Sequence, residues 1–318
     1  MPFQFLAPLG VLLGLAIPAL AGPKVATDIA PVHSLVAQVM EGAGEPALIV
    51  PPGASPHGHA MRPSEAAALA RAEVVFWMGE GLTPWLEEPI ETLAGDAHVI
   101  ELMGAGGSMV LVFRSEAELV PRLAGRDGDG HDDHAHDDHA HADHAHDGAD
   151  PHAWLDPANA RIWLDVIAGE LAEHDPANAA LYRANAARAA ADLAALEAEV
   201  AARLGPVRGA PYLVFHDAYQ YFEARFGLAP AGALSPGDAA DPGPARIAAL
   251  RDMARERGIA CVFSEPQFSP ARVQAIFGES VRHGVLDPLG SAHAPGPDLY
   301  PALIRDMADA LVDCLGGS

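Results

Sequence analysis

The chain has 318 residues, half of them hydrophobic, and a formal net charge of −24. That is enough apolar material for one large domain or two medium ones, and the negative balance argues against a nucleic-acid partner. A third of the charge is local, because residues 126–150 hold nine Asp against one Arg.

The N-terminus, "MPFQFLAPLGVLLGLAIPALAGPK", is apolar to about Ala21, and "ALA" at 19–21 supplies small residues for a signal peptidase. It reads as a signal peptide over residues 1–21, cleaved before Gly22. No Lys or Arg precedes the apolar core, so an uncleaved anchor is the alternative. The short run and Pro18 oppose it. No other segment approaches the ~20 apolar residues of a membrane span, so the expectation is a soluble, exported protein.

From Lys24, "KVATDIAPVHSLVAQVMEG" reads as strand then helix, and "ALIV" as a short buried strand. "PPGASPHGH" is a loop. Ser64 is the expected cap of the next helix, with Glu65 in its first turn. "VVFWMG" is a strand, "GLTPWLEEPIETLAG" a helix and "AHVIEL" a strand. Strands that alternate with helices indicate a parallel α/β sheet. Residues 125–150 are Gly, Asp, His and Ala without apolar periodicity, and read as a disordered insertion. The helical pattern resumes at "DPANARIWLDVIAGELAEH".

Residues 175–204 predict one long helix of about 45 Å, capped by Asp175 with Pro176 first inside. Its expected apolar stripe is Leu181, Ala184, Arg188, Leu193, Leu196, Val200 and Leu204. A second α/β set follows: "PYLVFH" and "IACVF" as strands, "GVL" as a last strand, with helices between and after them. The expected fold class is therefore α/β, two lobes with mainly parallel sheets joined by a linker helix. The boundaries are 22–174 for the N-terminal lobe, 175–204 for the linker and 205–318 for the C-terminal lobe. Cys261 and Cys314 are the only cysteines. In an oxidising compartment they are expected to pair, the alternative being two buried thiols.

Seven of the sixteen histidines fall in "HDDHAHDDHAHADHAH" at 131–146. Outside that run, His57, His216 and Asp287 fall at the carboxyl ends of strands, where α/β sheets bind ligands, and His152 precedes a helix. Two of the four come from each lobe, so they can converge in the crevice between lobes. Three imidazoles and a carboxylate suit tetrahedral Zn²⁺, whereas Mn²⁺ and Mg²⁺ favour more oxygen ligands. Spacing alone leaves these histidines open to being ordinary surface residues.

Several motifs in order carry a resemblance: "GASPHGHAMRPSEAAALARAEVVFWMGEGLTPWLE", "DPHAWLDPANA", "FHDAYQYFEARFGL", "SEPQFSPARVQ" and "LDPLG". Together they resemble the zinc-uptake ABC-transporter periplasmic substrate-binding proteins, metal receptors with a rigid linker helix. The resemblance implies a receptor that captures Zn²⁺ in the periplasm and docks on an ABC permease in the inner membrane. It implies a transported ion rather than a catalytic cofactor, and no enzyme activity. Periplasmic zinc chaperones are a further expected partner, and the expected state is a monomer. The family's histidine ligands fall on His57, His152 and His216. Manganese members carry Glu at the third position, so His216 argues for zinc. Some members carry Glu just before the first histidine, where this chain has Pro56. Asp287 is then the expected fourth ligand, with an orienting carboxylate or a bound water as alternatives. Paired cysteines also resemble those of Gram-negative zinc members.

The resemblance casts the His/Asp run as an accessory. His131, His134, His136, His139, His141, His144 and His146 are expected to bind zinc weakly, as a collector or sensor, with a solvated spacer as the plain alternative. His59 is expected to be a solvated loop residue and His33 a packing residue. His98, His174, His283 and His293 read as surface residues. Glu265 is expected to line the cleft, and Trp85 and Trp154 to pack. A metalloenzyme is the rival reading, but no HExxH is present and Glu265 is the only plausible base. Because only neutral imidazole binds metal, zinc affinity is expected to fall as pH drops through roughly 6.5.

Overall fold

The computed structural model describes residues 22–115, 148–235, 243–267, 270–278 and 281–316. The expected signal peptide and all seven histidines of 131–146 lie outside the described residues.

The N-terminal lobe follows the expected alternation. β1 (Val25–Thr27) leads into α1 (Ala30–Met40), then β2 (Ala47–Leu48), α2 (Pro63–Leu69), β3 (Val74–Trp77), α3 (Glu87–Leu93) and β4 (His98–Glu101). All pairings are parallel, in the order β2-β1-β3-β4. β3 is buried along its whole length and alternates faces. Val74 and Phe76 join the main core, while Val75 and Trp77 join a smaller cluster with Leu69, Leu86 and Ile90. That two-sided burial is why "VVFW" reads as a continuous apolar run.

α2 starts two residues earlier than the Ser64 cap implies, with Arg62 as its cap. Pro63 takes the first helical position, and the Glu65 carboxylate accepts the Arg62 N–H at 2.6 Å. A proline fits where the helix has no N–H to satisfy, and a Glu two residues on reaches back to the cap.

α4 (Pro157–His174) and α5 (Ala179–Leu204) form an antiparallel pair that leads to the second lobe. Asp175 does not cap α5. It ends α4, and its carboxylate accepts from Asn178 Nδ2 at 2.6 Å and the Tyr182 hydroxyl at 2.8 Å. The buried stripe of α5 is Tyr182, Asn185, Ala186, Ala189, Leu193, Leu196, Val200 and Leu204. Its second half is as expected. Its first half is rotated from Leu181, Ala184 and Arg188, because Asn185 donates to the carbonyls of Val39 and Glu41 at the end of α1. Arg188 instead reaches Glu41 at the surface. Those end-of-helix carbonyls need partners, so a polar Asn is buried where an apolar residue was expected.

The C-terminal lobe repeats the first: β5 (Tyr212–His216), α6 (Gln220–Phe226), β6 (Gly232–Ser235), α7 (Pro244–Glu256), β7 (Cys261–Ser264), α8 (Pro270–Phe277), β8 (Arg282–Val285) and α9 (Leu299–Leu315). Its order is β6-β5-β7-β8, again all parallel. β6, "GALS", is not visible in the sequence pattern, since it holds no β-branched or aromatic residue. Gly284 in β8 sits against Phe263, and a Cβ there would come 2.5 Å from the ring. Cys261 and Cys314 form a disulfide with Cα atoms 6.0 Å apart, tying β7 to the last turn of α9.

One hydrophobic cluster runs from β1 and α1 through α4 and α5 into β5, β7 and α9. Polar contacts cross with it: Ser34 Oγ donates to Pro297 O at 3.0 Å, and Trp154 Nε1 donates to Pro288 O at 2.7 Å. Arg225 makes a bidentate pair with Asp156, at 2.6 and 2.7 Å, beside the start of α4.

Cys314→Ser is expected to lower unfolding stability by roughly 2–4 kcal/mol, the range for opening a loop of this size. Denaturant titration under oxidising conditions measures it. A change below about 1 kcal/mol would contradict a stabilising bond. Burial pushes the Asp28 carboxyl up to about 7, against the pull of the Met78 and Ile29 N–H groups. Its contribution to stability is therefore complete below its usual value near 3.8 and lost as pH rises through about 7. With chelator present, Asp28→Asn should flatten the fall in melting temperature between pH 5 and 8. Parallel curves would show that another group titrates.

Candidate metal centre

In each sheet the chain order reverses beside the first strand, between β1 and β3 and between β5 and β7. A crevice opens outside the carboxyl ends of the strands at such a point. In the N-terminal lobe Asp28 bridges it, accepting from Ile29 N and Met78 N, both at 2.7 Å. In the C-terminal lobe His216 ends β5 and Glu265 follows β7.

His216 and Glu265 meet across that switch point, His216 Nδ1 lying 3.0 Å from Glu265 Oε1. Both are almost fully buried. Glu265 also accepts from Gln267 Nε2 at 2.5 Å. His152 stands just before a 3₁₀ turn (Ala153–Leu155) that leads into α4. Asp150 Oδ1 accepts both its backbone N–H, at 3.0 Å, and its Nδ1, at 2.7 Å. His57 sits in a 3₁₀ turn (Pro56–Gly58) nine residues after β2. Trp85 Nε1 holds that turn by donating to Pro56 O at 2.7 Å.

The three rings converge. Centroids are 5.5 Å apart for His57–His152, 6.0 Å for His57–His216 and 5.1 Å for His152–His216. One nitrogen from each lies within 4.8 Å of the others, the only such set of three or more ligand atoms among the described residues. For His152 and His216 a carboxylate accepts a hydrogen bond from Nδ1–H, which fixes the tautomer and places the lone pair on Nε2. A tetrahedral zinc ion with Zn–N of 2.0–2.1 Å sets its nitrogens about 3.4 Å apart, so a small closure of the rings suffices.

Asp287 does not join the three histidines. Its carboxylate accepts from Leu289 N at 3.2 Å, Ser291 Oγ at 2.7 Å and Ala292 N at 3.4 Å. An aspartate followed by a tight loop satisfies nearby N–H groups first, and that local pattern competes with ligation. His59 is not solvated. It lies 2.9 Å from Glu65 Oε2, its side chain 8 % exposed, and packs edge-on against Trp85. His33 packs as expected, its Nε2 meeting Pro46 O at 3.1 Å, and burial pushes its pKa down. Trp85 and Trp154 do more than pack, since each indole N–H fixes a carbonyl next to a residue of interest, Pro56 beside His57 and Pro288 beside Asp287.

The residue missed by sequence reasoning is Asp150, assigned to the disordered insertion. Residues 148–150 instead pair with the incoming strand. Val112 and Ala149 form an antiparallel bridge, and Asp150 N donates to Leu111 O at 2.8 Å. This stem is held to the second lobe by Tyr221, whose hydroxyl donates to Asp150 O at 2.7 Å and accepts the Leu111 N–H at 2.9 Å. Arg114 pairs with Asp217 and, at 2.8 Å, with Glu223. The available signal was the spacing in "DPH", an Asp two residues before a His whose N–H it can accept.

The comparisons with known proteins follow the same lines. A family model described as "Zinc-uptake complex component A periplasmic" matches residues 25–314. The chain is 45 % identical over 312 residues to the high-affinity zinc uptake system protein ZnuA of Brucella abortus (strain 2308), covering 93 % of each. It is 44 % identical over 313 residues to the ZnuA of Paracoccus denitrificans (strain Pd 1222), covering 95 % of this chain and 94 % of that one. A crystal structure of ZnuA superposes with a TM-score of 0.71 at 25 % identity, covering 91 % of this chain and 99 % of the other. With the fold, the converging histidines and these matches agreeing along nearly its whole length, the chain belongs to the zinc-uptake complex component A family of periplasmic zinc-binding receptors for ABC uptake.

Proposed function

We propose that His57, His152 and His216 are the ligands of the transported Zn²⁺, and that the chain hands the ion to an inner-membrane ABC permease. The observation that carries this reading is the convergence of three imidazoles from both lobes, two of them backed by buried carboxylates. A water completes the tetrahedron, since Asp287 is committed to its own loop. The ion is the cargo. Glu265, the candidate base for hydrolysis, is already bonded to His216 and Gln267, which supports a binding role over catalysis. The protein works as a monomer, and periplasmic zinc chaperones are a further partner to test.

The shared core and the cross-lobe bonds favour small lobe movements over a wide hinge. Release then proceeds through local loss of a ligand. The turn carrying His57 is the natural candidate. It is the most exposed of the three positions, and it stands on a short turn rather than at the end of a buried strand. On composition, the histidines at 131–146 act as weak accessory sites that raise local zinc concentration.

Calorimetric titration of residues 22–318 is expected to show one tight Zn²⁺ site that His152→Ala or His216→Ala removes. Glu265→Gln is expected to weaken it by about 10–100-fold, the usual cost of losing a carboxylate behind a ligating histidine. Tight binding that survives His216→Ala would sink the assignment. A chain lacking residues 118–146 should keep the tight site and lose only weaker ones. Loss of tight binding with that segment would place the site there instead.

A further inference from the structure

At the end of the N-terminal lobe away from the cleft, two more histidines come together. His98 opens β4, at the opposite end of the sheet from the carboxyl ends that face the cleft. His174 closes α4, with Glu170 one turn before it on the same face. His98 Nε2 lies 2.9 Å from Glu170 Oε2. The His98 and His174 ring centroids are 5.1 Å apart, the same separation as His152–His216 in the cleft. His174 Nδ1 donates to Glu170 O at 2.9 Å, which leaves the lone pair on Nε2. Glu73 and Asp96 line the same surface hollow and add negative potential. The carboxyl end of the α4 dipole also favours a cation there.

We infer that His98, His174 and Glu170 form a second, exposed Zn²⁺ site. Two imidazoles and a carboxylate are a donor set that zinc accepts, with water completing the tetrahedron. Their ligand atoms do not converge as closely as those of the cleft. The site therefore closes by rotation of the exposed His174 and half-buried Glu170 side chains onto the ion. That ordering costs entropy and makes it the weaker site. α4 begins beside His152 and spans 18 residues, about 27 Å at 1.5 Å per residue, so the two sites fill independently.

The test uses the full chain with ¹⁵N-labelled histidine. One equivalent of Zn²⁺ fills the cleft, read on the His152 and His216 imidazole resonances, and further Zn²⁺ is then added. His98 and His174 resonances are expected to shift together. In His174→Ala the His98 shift should need about tenfold more Zn²⁺ or higher, a loss of about 1.4 kcal/mol or more. A His98 response unchanged in His174→Ala would show two independent surface imidazoles and overturn the proposal. So would a response confined to other histidines. The first equivalent reports on the cleft separately, so failure of either site is read without the other.

Discussion

The separation of the two lobes is set by one core. The cluster that starts at β1 and α1 continues under α4 and α5 and ends among β5, β7 and α9. A protein interior is close-packed and yields little to strain, so the lobes behave as parts of one body. Everything at the metal centre rests on this. His57 and His152 come from one lobe and His216 from the other, and rings about 5–6 Å apart would lose their convergence with a small change in lobe separation. The polar contacts at Ser34, Trp154 and Arg225 add direction to a join that apolar packing alone would leave free to slide.

Within that frame, two carboxylates do the aiming. Glu265 reaches His216 from the neighbouring strand, and Asp150 reaches His152 from two residues away. Each accepts the Nδ1–H, which sets one tautomer and one orientation for each ring and leaves Nε2 available. His57 is positioned differently. Its turn is fixed through the backbone by Trp85, while His59, two residues on, is taken up by Glu65. Two of the three rings are thus held by buried carboxylates, and the third stands on a turn held by Trp85.

The stem of the His/Asp-rich segment belongs to the same machinery. Residues 111–114 and 148–150 pair with each other and then grip α6 and the turn after His216 through Tyr221, Asp217 and Glu223. The segment is thus attached at the rim of the cleft, and the last residue of its stem is the carboxylate that orients His152. A run that looks like an insertion by composition ends inside the site.

By itself the sequence determined the alternation of strands and helices, the long helix between the lobes and the two repeats of the α/β unit, and it singled out three histidines whose rings the fold brings together. Each of these is carried by a local signal: apolar periodicity, a proline or glycine at an element end, or a histidine beside a strand end. It did not reveal β6, the true face of the first half of α5, the hydrogen bonds of Asp150 to His152 or those of Asp287 within its own loop. Those depend on which polar group reaches which partner first. Asn185 is buried because α1 ends with carbonyls to satisfy, and Asp287 accepts from an N–H and a hydroxyl of its own loop. Competition for hydrogen bonds among groups distant in sequence is settled only when the chain has packed. The tertiary structure therefore decided which carboxylates stand behind histidines and which serve the backbone.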